Sequence, residues 1–382
     1  MAYPLEDLRV LDLSRVLAGP FAGRMLADLG ADVVKVEPPD GDLTRLWGAV
    51  ISGIPGYYHQ QNVGKRNVCI DLRLAEGQAL VQALAAKADV VIENFRPGVT
   101  SRLGVSYGDL SKGNPQLVML SISGFGQDGP EAQRAAFAPV IHAESGMIAR
   151  QARLSGNPPY DVPASVADTN AALHGLVAVL SALWLRQRTG LGQHIDMAMI
   201  DATIATDDNL HFALEDSEAT RVLPTEVWET RDTPVVISAD FRHIWNHLSD
   251  EAKLPDPAPP GSSIAEKGRL RKAAIRDYIR SLPGRDALVE ILDRRNIAWG
   301  DVRTAEEIRT QPTVQHRGMV FEVDDRAGGT RPVVQSPYRF SNAEAGIHRP
   351  APRKGEHNAE VVREWLGAED LSPWASALVS ED

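Results

Sequence analysis

The chain has 382 residues, 43% hydrophobic and 24% charged, enough apolar content to bury the cores of two domains and too much for a disordered state. Its 40 Lys and Arg stand against 51 Asp and Glu, a net charge of −11. That balance argues against non-specific binding to nucleic acid or an anionic membrane, so an anionic ligand would need a local basic patch. A single cysteine, Cys69, excludes an intrachain disulfide and multi-thiolate metal centres. The opening Met1-Ala-Tyr-Pro shows no signal-peptide pattern, and a cytoplasmic protein is expected.

From the N-terminus, residues 9–13 read as a short buried strand. Residues 18–30 follow as a helix with Phe21, Met25, Leu26 and Leu29 on one side, Pro20 in the first turn and Gly30 at the stop. Residues 32–36 form a second strand, which makes a right-handed β-α-β unit. Segments 67–72, 89–92 and 116–122 add strands, and 76–88 a helix. This alternation predicts an open α/β sheet with helices on both faces. Residues 164–188 predict a long helix, the most apolar in the chain. Its apolar run 171–185, broken by His174 and Ser181, falls short of the roughly 20 residues of a membrane span. Another helix is expected over 196–205. Beyond residue 215 the composition changes, and four prolines fall within 255–260. A strand at 234–239 and helices at 241–248, 270–282 and 285–294 predict a smaller α/β domain over 223–315. Strand character returns at 319–323 and 330–336, and 360–366 closes as a helix.

Several sites stand out, each with a structural alternative. Gly19-Pro-Phe-Ala-Gly23 lacks the G-x-G-x-x-G spacing of a dinucleotide loop, although Glu37 stands where a ribose-binding carboxylate would lie. Gly64-Lys65-Arg66-Asn67 is not a P-loop. Its charges are either solvated turn charges or a phosphate anchor. Arg96 and Arg102 follow the strand 89–92, at the strand ends where open α/β sheets bind ligands. Asp168, in Ser165-Val-Ala-Asp168, matches a capping box. On spacing alone the cap is the favoured reading; as a second possibility, the same carboxylate, held ionised in a helix's first turn, can attack an acyl carbon. The ten histidines form no catalytic set. His243 and His247 have the spacing of a zinc pair, but Ile244 stands where H-E-x-x-H needs its Glu, and no metal site is expected. No G-x-S-x-G elbow occurs.

The stretch Arg9-Val-Leu-Asp-Leu-Ser-Arg-Val-Leu-Ala-Gly-Pro-Phe-Ala-Gly, with Leu26-Ala-Asp-Leu-Gly-Ala-Asp-Val-Val-Lys-Val-Glu-Pro-Pro, resembles the class III CoA-transferases. Formyl-CoA transferase belongs to that family, and alpha-methylacyl-CoA racemases are relatives. Lys65-Arg66, Glu93-Asn-Phe-Arg-Pro-Gly98, Gly124-Phe-Gly-Gln-Asp-Gly-Pro130, the segment from Gly190 to Asp201, His316-Arg-Gly-Met319 and Gly355-Glu-His357 extend the likeness. It is strong over 5–205, moderate over 295–366 and thin over 206–290.

The resemblance implies a large Rossmann-like domain built from both chain ends (1–205 and 325–382), with the smaller α/β domain (223–315) inserted through linkers 206–222 and 316–324. It also implies an interlocked, ring-like homodimer. Asp168, in Asp168-Thr-Asn-Ala-Ala-Leu-His-Gly175, matches the family's catalytic aspartate. Leu17, Ala18, Asn62, Lys65, Asn94, Phe95, Arg96 and Arg102 match CoA-binding positions, with Lys65 meeting a phosphate. Phe137 matches an aromatic position near the acyl group, and His142 lies close by. The expected partners are an acyl-CoA and a small carboxylic acid, with the CoA thioester as substrate and no permanently bound cofactor. The implied reaction moves CoA through an aspartyl anhydride and an aspartyl-CoA thioester. The alternatives are an acyl-CoA epimerase or racemase and a non-catalytic acyl-CoA-binding homologue. Leu17 and Ala138 depart from the formyl-CoA transferase pattern, Pro38 replaces a basic CoA contact, and Phe137 stands where racemases carry a base.

Overall fold

The computed structural model describes residues 2–215 and 225–379. The last part of the expected linker 206–222 and the first residues of the expected small domain lie outside the described residues.

The N-terminal half alternates strand and helix: β1 (Arg9–Asp12), α1 (Ala18–Asp28), β2 (Asp32–Glu37), α2 (Gly56–Asn62), β3 (Arg66–Cys69), α3 (Ala75–Ala85) and β4 (Val90–Glu93). It continues with β5 (Val118–Ser123), α4 (Ala138–Glu144), α5 (Val166–Thr189) and β6 (Gln193–Ala198). The six strands form one sheet in the order β3-β2-β1-β4-β5-β6, and every pairing is parallel. This is the order of a doubly wound sheet, whose switch point falls between β1 and β4. Period-2 alternation sorts the side chains. Val10, Val33, Ile92 and Leu120 face α1 and α5, while Leu11, Val34, Val91 and Met119 face α3 and the late helix Asn358–Leu366. Gly175 lets α5 lie directly on β5, since a Cβ there would come within 2.9 Å of the Leu120 side chain.

Two compact units emerge, one of Met1–Leu210 with His316–Asp382, the other of His211–Gln315. In the second, the antiparallel strands Thr225–Trp228, Val235–Ser238 and Trp299–Asp301 pack with the helices Phe241–Ala252, Ile264–Ser281 and Arg285–Arg294 around Trp228, Ile237, Leu248 and Leu292. His243 and His247 meet edge to face at 4.2 Å. In the first unit, the returning chain seals the edge of β3. Cys69 N–H donates to Asn358 Oδ1 (2.9 Å), Val379 N–H to the Cys69 carbonyl (3.1 Å), and Arg66 pairs with Glu360 and Glu364.

Two expectations are corrected. Residues 196–198, expected to begin a helix, instead end the outer strand β6 (Gln193–Ala198), in which His-Ile-Asp-Met alternates polar and apolar. The strands expected at 319–323 and 330–336 are present as Val320–Asp324 and Thr330–Val334, paired antiparallel, the first within the span expected as a linker. Helix α5 runs 24 residues, so its length does not fall short of a span. One face, with Ala167, Ala171, Gly175, Leu176 and Val179, is buried against the sheet.

A polar network lies inside this apolar frame, at the carboxyl end of β1. Lys65 Nζ is wholly buried and donates to Asp12 Oδ2 (2.8 Å), the Pro20 carbonyl (2.8 Å) and Asn62 Oδ1 (3.0 Å). Lys35 Nζ, equally buried, donates to the Ser14 carbonyl (2.6 Å) and pairs with Asp42 at 3.0 Å. Burial pushes the Lys65 ammonium down to about 8, against the pull of Asp12. Replacing Lys65 with Met leaves a buried carboxylate without its partner, so K65M is expected to lose about 3–5 kcal/mol of stability in urea unfolding. Adding Asp12→Leu should restore most of that loss, and a K65M protein as stable as wild type would show that the pair does not hold the fold.

Candidate active site

The cleft lies where a doubly wound sheet places it, outside the carboxyl ends of β1 and β4. A cavity of about 180 Å³ there is lined by Arg15, Ala18, Asn94, Phe95, Arg96, Ser123, Phe137 and Asp168, among others. A second cavity, about 250 Å³, opens along the ends of β1, β2 and β3 and is lined by Leu13, Pro38, Leu72 and Leu103. Arg15 and Phe95 line both. The Arg15 guanidinium lies over the Phe95 ring at 5.1 Å.

Asp168 sits in the first turn of α5, but the expected capping box is absent. Ser165 makes no side-chain cap hydrogen bond. The backbone N–H groups of Ala18, Ala138 and Asp168 itself instead lie near the Asp168 carboxylate and favour its ionised form. Ala18 opens α1 and Ala138 opens α4, so the first turns of three helices meet at one carboxylate. Helix N-termini favour negative charge, and burial opposes it. Burial prevails: it pushes the Asp168 carboxyl up to about 6, against the three N–H groups.

The loop that brings Ala18 to this point is strained and pinned. Val16 has φ +66°, the left-handed region that β-branched residues rarely adopt. Its N–H donates to Asp42 Oδ2 (3.2 Å), and Asn94 exchanges two hydrogen bonds with the Arg15 backbone (2.7 and 2.8 Å). Gly19 is required because a Cβ would fall 2.1 Å from the Ser14 Cβ.

Ala18, Asn94, Phe95, Arg96, Phe137 and Asp168 therefore come together around one cleft. Other expected residues lie elsewhere. All three ammonium protons of Lys65 are donated inside the protein, which leaves none for a ligand phosphate. Asn62 is buried beside it, with Nδ2 donated to the Tyr58 carbonyl (3.0 Å). Leu17 is buried at the start of α1. Arg102 is exposed and lines neither cavity. His142 is wholly buried and lines neither cavity. Its Nε2 accepts from Ala167 N–H (3.1 Å), so Nδ1 carries the proton donated to Asp161 Oδ1 (2.7 Å). His142 thus caps the helix that carries Asp168 and has no nitrogen free to serve as a base. Glu37 is buried in a two-point pair with Arg45 (2.8 Å each) and also accepts from Tyr58 and Asn67, so no ribose can use it.

Two residues at the site went unmarked in the sequence. Arg15 has no carboxylate partner among the described residues, and its place after β1 follows the same strand-end rule that singled out Arg96. Tyr57 had no local signal. Burial and the nearby carboxylates of Asp168 and Asp42 raise its phenol above the ordinary value, and its ring meets Trp47 edge to face at 5.2 Å.

Comparison with known proteins agrees with this geometry. Residues 5–358 match the family described as CoA-transferase family III. The chain is 34% identical to the succinate–glutarate CoA-transferase of Agrobacterium fabrum, covering 94% of this chain and 95% of that one. It is 31% identical to the acetyl-CoA:oxalate CoA-transferase of Acetobacter aceti, covering 96% and 97%. A crystal structure of a CaiB/BaiF family protein from Brucella suis superposes with a TM-score of 0.82 at 32% identity, covering 96% of this chain and all of the other. The chain belongs to CoA-transferase family III and is an acyl-CoA:carboxylate CoA-transferase.

The raised carboxyl has a consequence for stability. An unfolded aspartate titrates near 3.8, whereas the folded one holds its proton to about 6. The folded state therefore binds more protons between those values, and stability falls as pH rises through that window. Asp168→Asn removes the effect. This variant is expected to be more stable than wild type at pH 7.5, by up to about 3 kcal/mol, with the difference vanishing by about pH 4. Equal stability at both pH values would show that Asp168 is not desolvated.

Proposed function

We propose that Asp168 is the nucleophile that carries CoA between two acids. The observation that carries this reading is its carboxylate, partly buried at the cleft and held by the first turns of three helices. A carboxylate oxygen attacks the donor thioester carbonyl and expels CoA thiolate, giving a mixed anhydride. The thiolate attacks the aspartyl carbonyl of the anhydride, which releases the donor acid and leaves an aspartyl-CoA thioester. The acceptor carboxylate attacks that thioester and frees the thiolate again. Attack of the thiolate on the acceptor's acyl carbon yields the new acyl-CoA and restores Asp168. The N–H groups of Ala18 and Ala138 supply donors for the negative oxygens that develop. The cleft must exclude water, since the anhydride would otherwise hydrolyse.

CoA would lie with its nucleotide end in the cavity along β1, β2 and β3 and its thioester at Asp168. The exposed guanidinia of Arg15 and Arg96 would meet its phosphates in place of Lys65. The succinate, glutarate and oxalate named for relatives support a small dicarboxylic acid as one of the exchanged acids. A homodimer is supported by the outer face of α5, where Leu173, Val177 and Trp184 are 43, 63 and 66% exposed at helical spacing. A second copy of the chain would cover it, in the interlocked form expected of the family. Val177→Asp is expected to convert a dimer into a monomer in sedimentation, and an unchanged mass would remove this face from the interface.

The central test is chemical. Incubation with succinyl-CoA and then hydroxylamine should convert Asp168 to its hydroxamate, read by peptide mass, and Asp168→Ala should abolish transfer while CoA still binds. A folded Asp168→Ala protein with full activity would overturn the assignment. Because only the ionised carboxyl attacks, the rate should fall about tenfold per pH unit below about 6, the value to which burial raises Asp168. A rate that stays flat to pH 4.5 would exclude it.

A further inference from the structure

Behind the cleft, on the opposite face of the sheet from Asp168, lies a polar row that the transfer chemistry does not use. Glu93 on β4, Ser121 on β5 and Asp196 on β6 are partners in register and so share a face. Glu93 is 2% exposed, an unusual place for a carboxyl unless it is bonded on every side. Its Oε2 accepts the Phe95 N–H at 2.8 Å, and the carboxyl lies beside Ser121, its partner in register, which helps hold the ionised form. His194 Nε2 lies 2.9 Å from Ser121 Oγ, and its ring stacks on Tyr107 at 5.4 Å and 11°. The chain Phe95–Glu93–Ser121–His194 thus ties the turn after β4 to β5 and β6.

The placement of that turn matters to the ligand. Phe95 lines both cavities and carries the Arg15 guanidinium on its ring, while Asn94 holds the Arg15 backbone from both sides. Arg15 and Phe95 therefore form the wall that the two cavities share. Each has a second anchor, Arg15 in Asn94 and Phe95 in Glu93. Burial pushes the Glu93 carboxyl up to about 7, with Asp196 adding to the rise, as befits a group held for its hydrogen bonds more than for its charge.

We propose that Glu93 is a positioning residue for the CoA thioester: through the Phe95 N–H it sets the Phe95–Arg15 wall along which the arm between nucleotide and thioester runs. This rests on the reading that the two cavities hold one CoA. Glu93 touches neither substrate nor Asp168, so its loss should act on binding and spare the chemical step.

The test compares the full-length wild type with Glu93→Leu, Glu93→Gln and Ser121→Ala, using titration with CoA and steady-state transfer from succinyl-CoA. Glu93→Leu should raise both the Kd for CoA and the KM for succinyl-CoA about tenfold, the scale of one lost ordering hydrogen bond to a charged group, with kcat within about twofold. Its Tm should not fall, because a buried carboxyl gives way to an apolar group. Gln can still accept from Phe95 N–H and should return KM to within about threefold of wild type. Ser121→Ala should give an intermediate KM, since it loosens Glu93 without removing it. A wild-type KM in Glu93→Leu would overturn the proposal, as would a fall in Tm and kcat together, the mark of a purely structural role. Failure of the wild type to bind CoA would instead sink the reading on which it rests.

Discussion

The buried pair of Asp12 and Lys65 fixes the point to which the site is referred. It lies where β1 ends, and both of its members reach the loop that follows. Asp12 Oδ1 takes the Ser14 N–H (3.0 Å) and hydroxyl, and Lys65 Nζ holds the Pro20 carbonyl in the first turn of α1. Gly23 leaves room for the pair, since a Cβ there would lie 2.8 Å from Asp12 Oδ2. With β1 and α1 locked together in this way, the Ala18 N–H is held close to Asp168. Two charges taken from water are a poor source of net stability, but they define geometry that apolar contacts would leave free to slide.

At Asp168 two tendencies work against each other. Desolvation favours the neutral acid, and helix ends with aligned N–H groups favour the anion. A carboxylate poised between them near neutral pH is both ionised enough to attack and poorly enough hydrated to be reactive. Function and stability part company here: the group proposed as the nucleophile is one that the folded state would rather see replaced by an amide.

The alternating sheet was legible because its strands are short apolar runs bounded by turns and its helices carry a clear stripe. The parallel order followed from the β-α-β rule. Strand β6 was missed because its residues continue without a break into the helix Met199–Ala205, and its period-2 pattern is short. The cleft was partly legible. Asp168, Asn94, Phe95 and Arg96 sit at strand and helix ends that the topology brings together. Lys65 misled because a lysine at a turn before a strand looks solvated, and only the three-dimensional arrangement shows the interior acceptors that surround it. His142 is a similar case: nothing local tells a helix-capping imidazole from a base. Glu93 falls in sequence just past the strand expected over 89–92, and its place beside Ser121 and near His194 follows only from sheet register.

One unit is assembled from residues on both sides of an insertion, and its last segment, through Asn358 and Val379, completes the edge of β3. On the ribosome, the inserted unit is contiguous and can collapse as soon as it emerges. The strand laid down near residue 66, in contrast, keeps an open edge until nearly three hundred further residues have been made, roughly 15–60 s at the usual elongation rate. During that interval the nascent chain offers its barest β-strand to any neighbour, so the order of synthesis, more than the final stability, sets when this protein is most exposed to misassembly.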